Sequence, residues 1–153
     1  RANITLAPGK FYTIFLSDTL ITTTSTRANF TRVDDDWGTI GEDRYKIRLA
    51  NFMAWPDDIQ ELYSTRERRV IQDNISFKGV GSFVDLPVQS IGDTLLVRKV
   101  SGSSPVPVGT VFLQINGFSP TKKRAYTIFT RGRNLTGTST VFQNNSSFWT
   151  TNF

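Results

Sequence analysis

Neither cysteine nor histidine occurs among the 153 residues. The first absence excludes disulfides, zinc-thiolate sites and thiol nucleophiles. Together the two exclude Ser-His-Asp and Cys-His nucleophilic sites and the common zinc geometries. No run approaches the roughly 18 apolar residues that cross a bilayer as a helix, so no membrane span is expected. The opening at Arg1 lacks the charged, apolar and small-residue blocks of a signal peptide, which points to a processed or excised form. No metal and no cofactor are expected.

What is present is ordinary for a folded chain: 38% hydrophobic, 20% charged and 12% aromatic residues. The length suits one domain with an appendage. The net charge of +5 raises the question of nucleic acid, because basic domains gain affinity by releasing counterions. Its pattern argues otherwise. The basic residues fall in short separate groups (Arg66, Arg68 and Arg69; Lys122, Lys123 and Arg124; Arg131 and Arg133), with no aromatic RNA-binding signature or recognition helix. No nucleic-acid partner is expected.

Tyr45-Lys46-Ile47-Arg48-Leu49-Ala50 alternates apolar and charged residues, the period of a strand with one face on a core and one in water. Further strands are expected at 75–77, 82–86, 94–100, 110–115 and 125–130, separated by Gly, Pro, Ser and Asp clusters. Pro56 with Ile59, Leu62 and Tyr63 fits the start of a short helix. A strand through 59–63 and a charged turn at 65–69 agree better with the surrounding β pattern. Many short strands at regular spacing define an all-β sandwich or barrel.

The chain also repeats itself. Tyr12-Thr13-Ile14-Phe15 recurs as Tyr126-Thr127-Ile128-Phe129, an offset of 126 − 12 = 114 residues. Thr22, Thr24, Ser25 and Thr26 recur at the same offset as Thr136, Thr138, Ser139 and Thr140. The first copy is therefore the closing segment of a domain without its body. The expected division is 1–26 as the strand pair of a preceding repeat, 27–44 as an acidic linker, 45–142 as the complete sandwich and 143–153 as a terminal strand or tail.

Residues 45–132 resemble the domain of unknown function family 4397, found in secreted and lipid-anchored surface proteins of Bacteroidota and other bacteria. The likeness rests on Ile47-Arg48-Leu49-Ala50-Asn51, the Pro56-Asp57 turn, Glu61-Leu62-Tyr63, the aromatic, Gly and Ser stretch from Phe77 through Phe83 to Pro87, and the closing Tyr126 to Phe129. Pro8-Gly9-Lys10-Phe11-Tyr12-Thr13-Ile14-Phe15 is similar to the family's closing motif as well. The sequence departs from the family where a Ser-Pro-Asp-Ala-Pro turn has become Ala54-Trp55-Pro56-Asp57-Asp58. The resemblance implies an immunoglobulin-like antiparallel β-sandwich, here with an additional N-terminal β-hairpin segment, at the outer surface of a bacterial cell. It implies no catalytic residues.

A binding or structural role, not an enzyme, is the expectation. Asp34, Asp35, Asp36, Glu42 and Asp43 offer oxygens for calcium, but Gly38 comes too early for an EF-hand loop, and a solvated acidic linker fits better. Asp57 and Asp58 lie beside Glu61 with nothing to hold two carboxylates across a cleft. Trp55, Tyr63 and Trp149 are candidate glycan contacts, since flat amphipathic rings suit the apolar faces of sugars. Polysaccharide is accordingly the alternative partner. The orphan tail gives the sharper reading. Ile4 and Leu6, then Phe11 to Leu16, read as two apolar strands around Pro8-Gly9, and an isolated pair is marginally stable in water. They pack on this chain's own sandwich, enter a neighbouring subunit by strand exchange through Ile4, Leu6, Tyr12 and Ile14, or are the remnant of a tandem protein. Self-association or a neighbouring domain is thus the expected partnership.

Overall fold

The computed structural model describes residues 4–18, 28–53, 58–102, 107–132 and 148–152, with backbone alone at 16–18, 28–29, 132 and 148–152. Ten strands occur among them: β1 (Tyr12–Asp18), β2 (Ala28–Asp34), β3 (Arg44–Met53), β4 (Ile59–Ser64), β5 (Arg69–Ile75), β6 (Val84–Pro87), β7 (Asp93–Ser101), β8 (Val111–Phe118), β9 (Ala125–Gly132) and β10 (Phe148–Asn152). No helix occurs among the described residues. Pro56 lies outside them, and the chain from Ile59 is extended, as the β context requires.

The protein is an all-β sandwich. One sheet has the order β10-β9-β3-β6 and the other β5-β4-β7-β8. Between them lie Tyr45, Ile47 and Leu49 of β3, Leu62 of β4, Leu95 and Val97 of β7, and Tyr126 and Ile128 of β9. The two-residue period of each strand produces this core directly, because every second side chain of β4 and β7 is buried. One pairing departs from the expected antiparallel plan. β3 and β9 run parallel, Ile47 opposite Tyr126, because the whole second sheet intervenes between them as the crossover that a parallel pair needs.

Two boundaries move. Pro8-Gly9 forms a turn, with Gly9 at φ 72°, but it does not join two strands. Instead β1 pairs antiparallel with β2, Tyr12 opposite Asp34, so residues 28–34 of the expected linker form half of a hairpin. The strand expected at 75–77 ends at Ile75, and 77–78 is a turn. A local Pro-Gly signal names a turn but not the partners it joins, and here the partner lies further along the chain.

The hairpin covers the outer face of the β10-β9-β3-β6 sheet. Phe15 packs with Ala50 and Phe52 of β3, with Val33, Val80 and Phe129 around them. β3 is therefore buried on both faces from Ile47 onward, not half-exposed as its alternation suggested.

Tyr45 lies in the core with its ring 6.1 Å from those of Phe118 and Tyr126. Burial pushes its phenol well above the usual range; the Glu67 and Asp93 carboxylates push the same way and Arg69 opposes them. A folded pKa above the unfolded one gives stability that is complete below about pH 10 and lost as pH rises beyond it. Tyr45→Phe is expected to move the alkaline unfolding midpoint, followed by circular dichroism, to higher pH. An unchanged midpoint would mean that other groups govern alkaline unfolding.

Candidate functional site

Two polar clusters in dry surroundings and one apolar outer face are the features that packing alone does not explain. The first cluster fastens the hairpin. Arg48 of β3 forms an ion pair with Asp35, just beyond β2, and both side chains are buried. Arg48 Nε donates to Thr127 Oγ1 at 3.0 Å, Thr13 Oγ1 of β1 donates to Asp35 Oδ2 at 2.7 Å, and the Arg48 guanidinium lies 4.3 Å from the centre of the Phe83 ring. Desolvation pulls the Arg48 pKa below the usual guanidinium value, and Asp35 pulls it back. A charge in such a place persists because it is paired and hydrogen-bonded. Asp35, expected in a solvated linker, is the anchor of the hairpin.

The second cluster is a polar layer at one end of the sandwich core. Asn51, Asp58, Gln60, Lys99 and Thr130 are all buried there. Lys99 Nζ lies 3.1 Å from Asp58 Oδ1, each side chain 1% exposed. Asn51 Nδ2 donates to the carbonyls of Asp58 and Ile75, both at 3.1 Å, and Thr130 Oγ1 donates to Gln60 Oε1 at 2.7 Å. Gln60 Nε2 is a buried donor with no hydrogen-bond partner among the described residues. The layer bridges β3 and β9 in one sheet to β4 and β7 in the other, and it pairs an amine with a carboxylate out of reach of solvent. The sequence carried a signal for it: Lys99 continues the inward series Leu95, Val97, and Gln60 precedes Leu62 at the same period.

The third feature is the outward face of the hairpin. Ile14 and Phe30 are exposed there, as are Ile4, Leu6 and Phe11 of the segment before β1, and Tyr12 lies under the Arg32 guanidinium at 5.1 Å. All four expected strand-exchange residues, Ile4, Leu6, Tyr12 and Ile14, are thus on the hairpin and its lead-in. None of them is among the residues that fasten it to the sandwich. That role falls to Phe15, Thr13 and Asp35.

Of the expected glycan contacts, only Tyr63 has a described side chain. Trp55 lies outside the described residues, and Trp149 lies on β10 with its side chain outside them. Tyr63 has the Arg98 guanidinium 3.9 Å over its ring. Trp37 lies instead against Phe11, ring centres 5.1 Å apart, in a cleft of about 310 Å³ that Lys10, Asp34 and Asp36 also line. Of the carboxylates considered for hydrolysis, Asp58 and Glu61 diverge. Asp57 lies outside the described residues, Asp58 is in the core with Lys99, and Glu61 Oε1 accepts from Arg98 Nε at 2.7 Å. No group of three or more potential metal ligands occurs among the described residues, and no helix there is long and apolar enough to cross a membrane.

No family model matches the chain, and no curated protein matches it either.

Proposed function

We propose that the protein is a non-enzymatic structural or adhesive module of the bacterial cell surface, joined to its neighbours by β-strand exchange through the β1–β2 hairpin. Head-to-tail repetition of such a contact builds a fibre. The observation that carries this reading is the exposed apolar face around Ile4, Ile14 and Phe30, on a two-stranded sheet that pairs with no other strand among the described residues. Contiguous exposed apolar surface marks an interaction site, and an open strand edge is a template for pairing. The cell-surface assignment rests on the resemblance of residues 45–132 to family 4397.

The test is the mass of the purified chain by light scattering, beside the Ile14→Asp/Phe30→Asp variant. Both substitutions are on the exposed face and leave the Phe15 contacts in place. Concentration-dependent assemblies in the native chain and a monomer in the variant are expected. A monomer in both would remove the reading and favour the second one, polysaccharide binding, for which the Trp37 cleft has the aromatic ring and flanking carboxylates that sugar recognition uses.

A further inference from the structure

The exposed face is not merely apolar; it is a copy of something buried. At the offset of 126 − 12 = 114 residues, Tyr12 corresponds to Tyr126, Ala7 to Thr121 and Gly9 to Lys123. Ala7 N donates to the Tyr12 hydroxyl at 3.0 Å, and Thr121 N donates to the Tyr126 hydroxyl at 2.8 Å. Gly9 has φ 72° and Lys123 φ 58°, each the second residue of its turn. β1 then pairs antiparallel with β2 as β9 pairs with β10. The sequence repeat is therefore a structural repeat, down to one left-handed residue and one tyrosine hydroxyl.

The two copies differ in what covers them. Phe118, Tyr126 and Ile128 are core residues with 7%, 3% and 0% exposure, while Ile4 and Ile14, the counterparts of Phe118 and Ile128, have 37% and 45%. β9 also carries β3 on the edge away from β10, with Ile47 opposite Tyr126, and the same edge of β1 holds no strand among the described residues. Hairpin β1–β2 thus has the shape, the tyrosine corner and the inward residues of a sandwich's closing hairpin, without a sandwich behind it.

From this we infer that the hairpin completes a second β-sandwich of this architecture, one that supplies the equivalents of β3 to β8 but not of β9 and β10. The inference rests on the reading of the β1–β2 face as an interaction surface and names its partner, which is not a second copy of this chain, because β9 and β10 already occupy those places here. The partner's β3 equivalent pairs in parallel with β1, its residue corresponding to Ile47 opposite Tyr12. Its opposing sheet covers Ile4, Tyr12 and Ile14. The other face of the hairpin stays on this chain's sandwich through Phe15 and the Asp35–Arg48 pair. One hairpin is then a wall common to two cores, and the two sandwiches are held rigidly, not strung on a flexible linker.

The experiment repeats residues 35–117 directly in front of Ile4 in the full chain, which puts the hairpin where the closing strands of the added copy belong. Amide hydrogen exchange reports the result. The added residues are expected to become as protected as the original sandwich. Ile14→Asp is expected to lower protection in the added copy by about a hundredfold or more, as a charge in a core does, and to leave the unfolding midpoint of the chain without the addition unchanged. An unprotected addition beside an intact original sandwich would overturn the inference. So would a lowered midpoint for Ile14→Asp in the chain without the addition, because the face would then already be in use within one molecule. Self-association of the native chain tests the earlier reading and folding of the added copy tests this one, so each fails by its own measurement.

Discussion

Lys99→Ala is expected to destabilise the fold by about 3–5 kcal/mol, measured by urea unfolding, because it removes the ammonium that faces the buried Asp58 carboxylate. The pair is a 3.1 Å contact between side chains that are each 1% exposed. The reason for so large a loss is asymmetric. Taking both charges out of water costs several kcal/mol per ion, and their mutual attraction offsets that cost only while both are present. Removing one partner keeps the cost and loses the offset. The companion expectation follows from the same argument. Asp58→Leu combined with Lys99→Met removes both charges at similar volume and should recover most of the lost stability. A non-additive cycle of this kind is the signature of direct coupling. By contrast, Lys122→Ala breaks a fully exposed pair with Asp43 and should leave the midpoint unchanged. A loss below about 1 kcal/mol for Lys99→Ala would mean that the polar layer is hydrated and loosely packed, contrary to its burial.

Much of the sandwich was legible because its strands obey a local rule. The alternation and turn signals of the sequence place β3, β4, β7, β8 and β9 within a few residues of their observed bounds. That rule is silent on what lies across the sheet. Arg48 stands at an outward position of β3 and reads as solvent-facing. It is buried because a hairpin from elsewhere in the chain covers it, and no periodicity within β3 encodes that. β2 was hidden for a related reason. Asn29-Phe30-Thr31-Arg32-Val33 alternates weakly and runs into Asp34-Asp35-Asp36, so composition suggested a linker while pairing with β1 made a strand. Lys99 and Gln60 show the opposite failure. Their spacing is that of inward residues while a lysine and a glutamine ordinarily belong outside, and buried partners, Asp58 for Lys99 and Thr130 for Gln60, reconcile the two. The repeat was different again: visible in eight residues of sequence, it acquires meaning only when the two copies are found in equivalent hairpins with unequal burial.

Phe15→Ala is expected to detach the hairpin without unfolding the sandwich. Phe15 is nearly buried, stacked on Phe52 with ring centres 4.2 Å apart and edge-on to Phe129 at 5.6 Å. Truncating a phenylalanine in such a site costs about 3–5 kcal/mol through lost transfer energy and an unfilled cavity. The location of the loss is the informative part. Among the described residues β1 and β2 share a ladder only with each other, so the main-chain hydrogen bonds within the two large sheets do not run through them. The hairpin can open as a unit, and its opening energy sits below the global one. Hydrogen exchange should therefore show β1 and β2 amides exchanging about two to three orders of magnitude faster in the variant, while amides of β4 and β7 change little. Ile14→Ala, on the uncovered side of the same strand, should change neither. An even loss of protection over both large sheets would contradict the picture, since it would make the hairpin part of the sandwich's own folding unit. A loss confined to the hairpin would establish that the outer layer is held to this chain through Phe15 and its surroundings, with the face of Ile14 left for another sandwich.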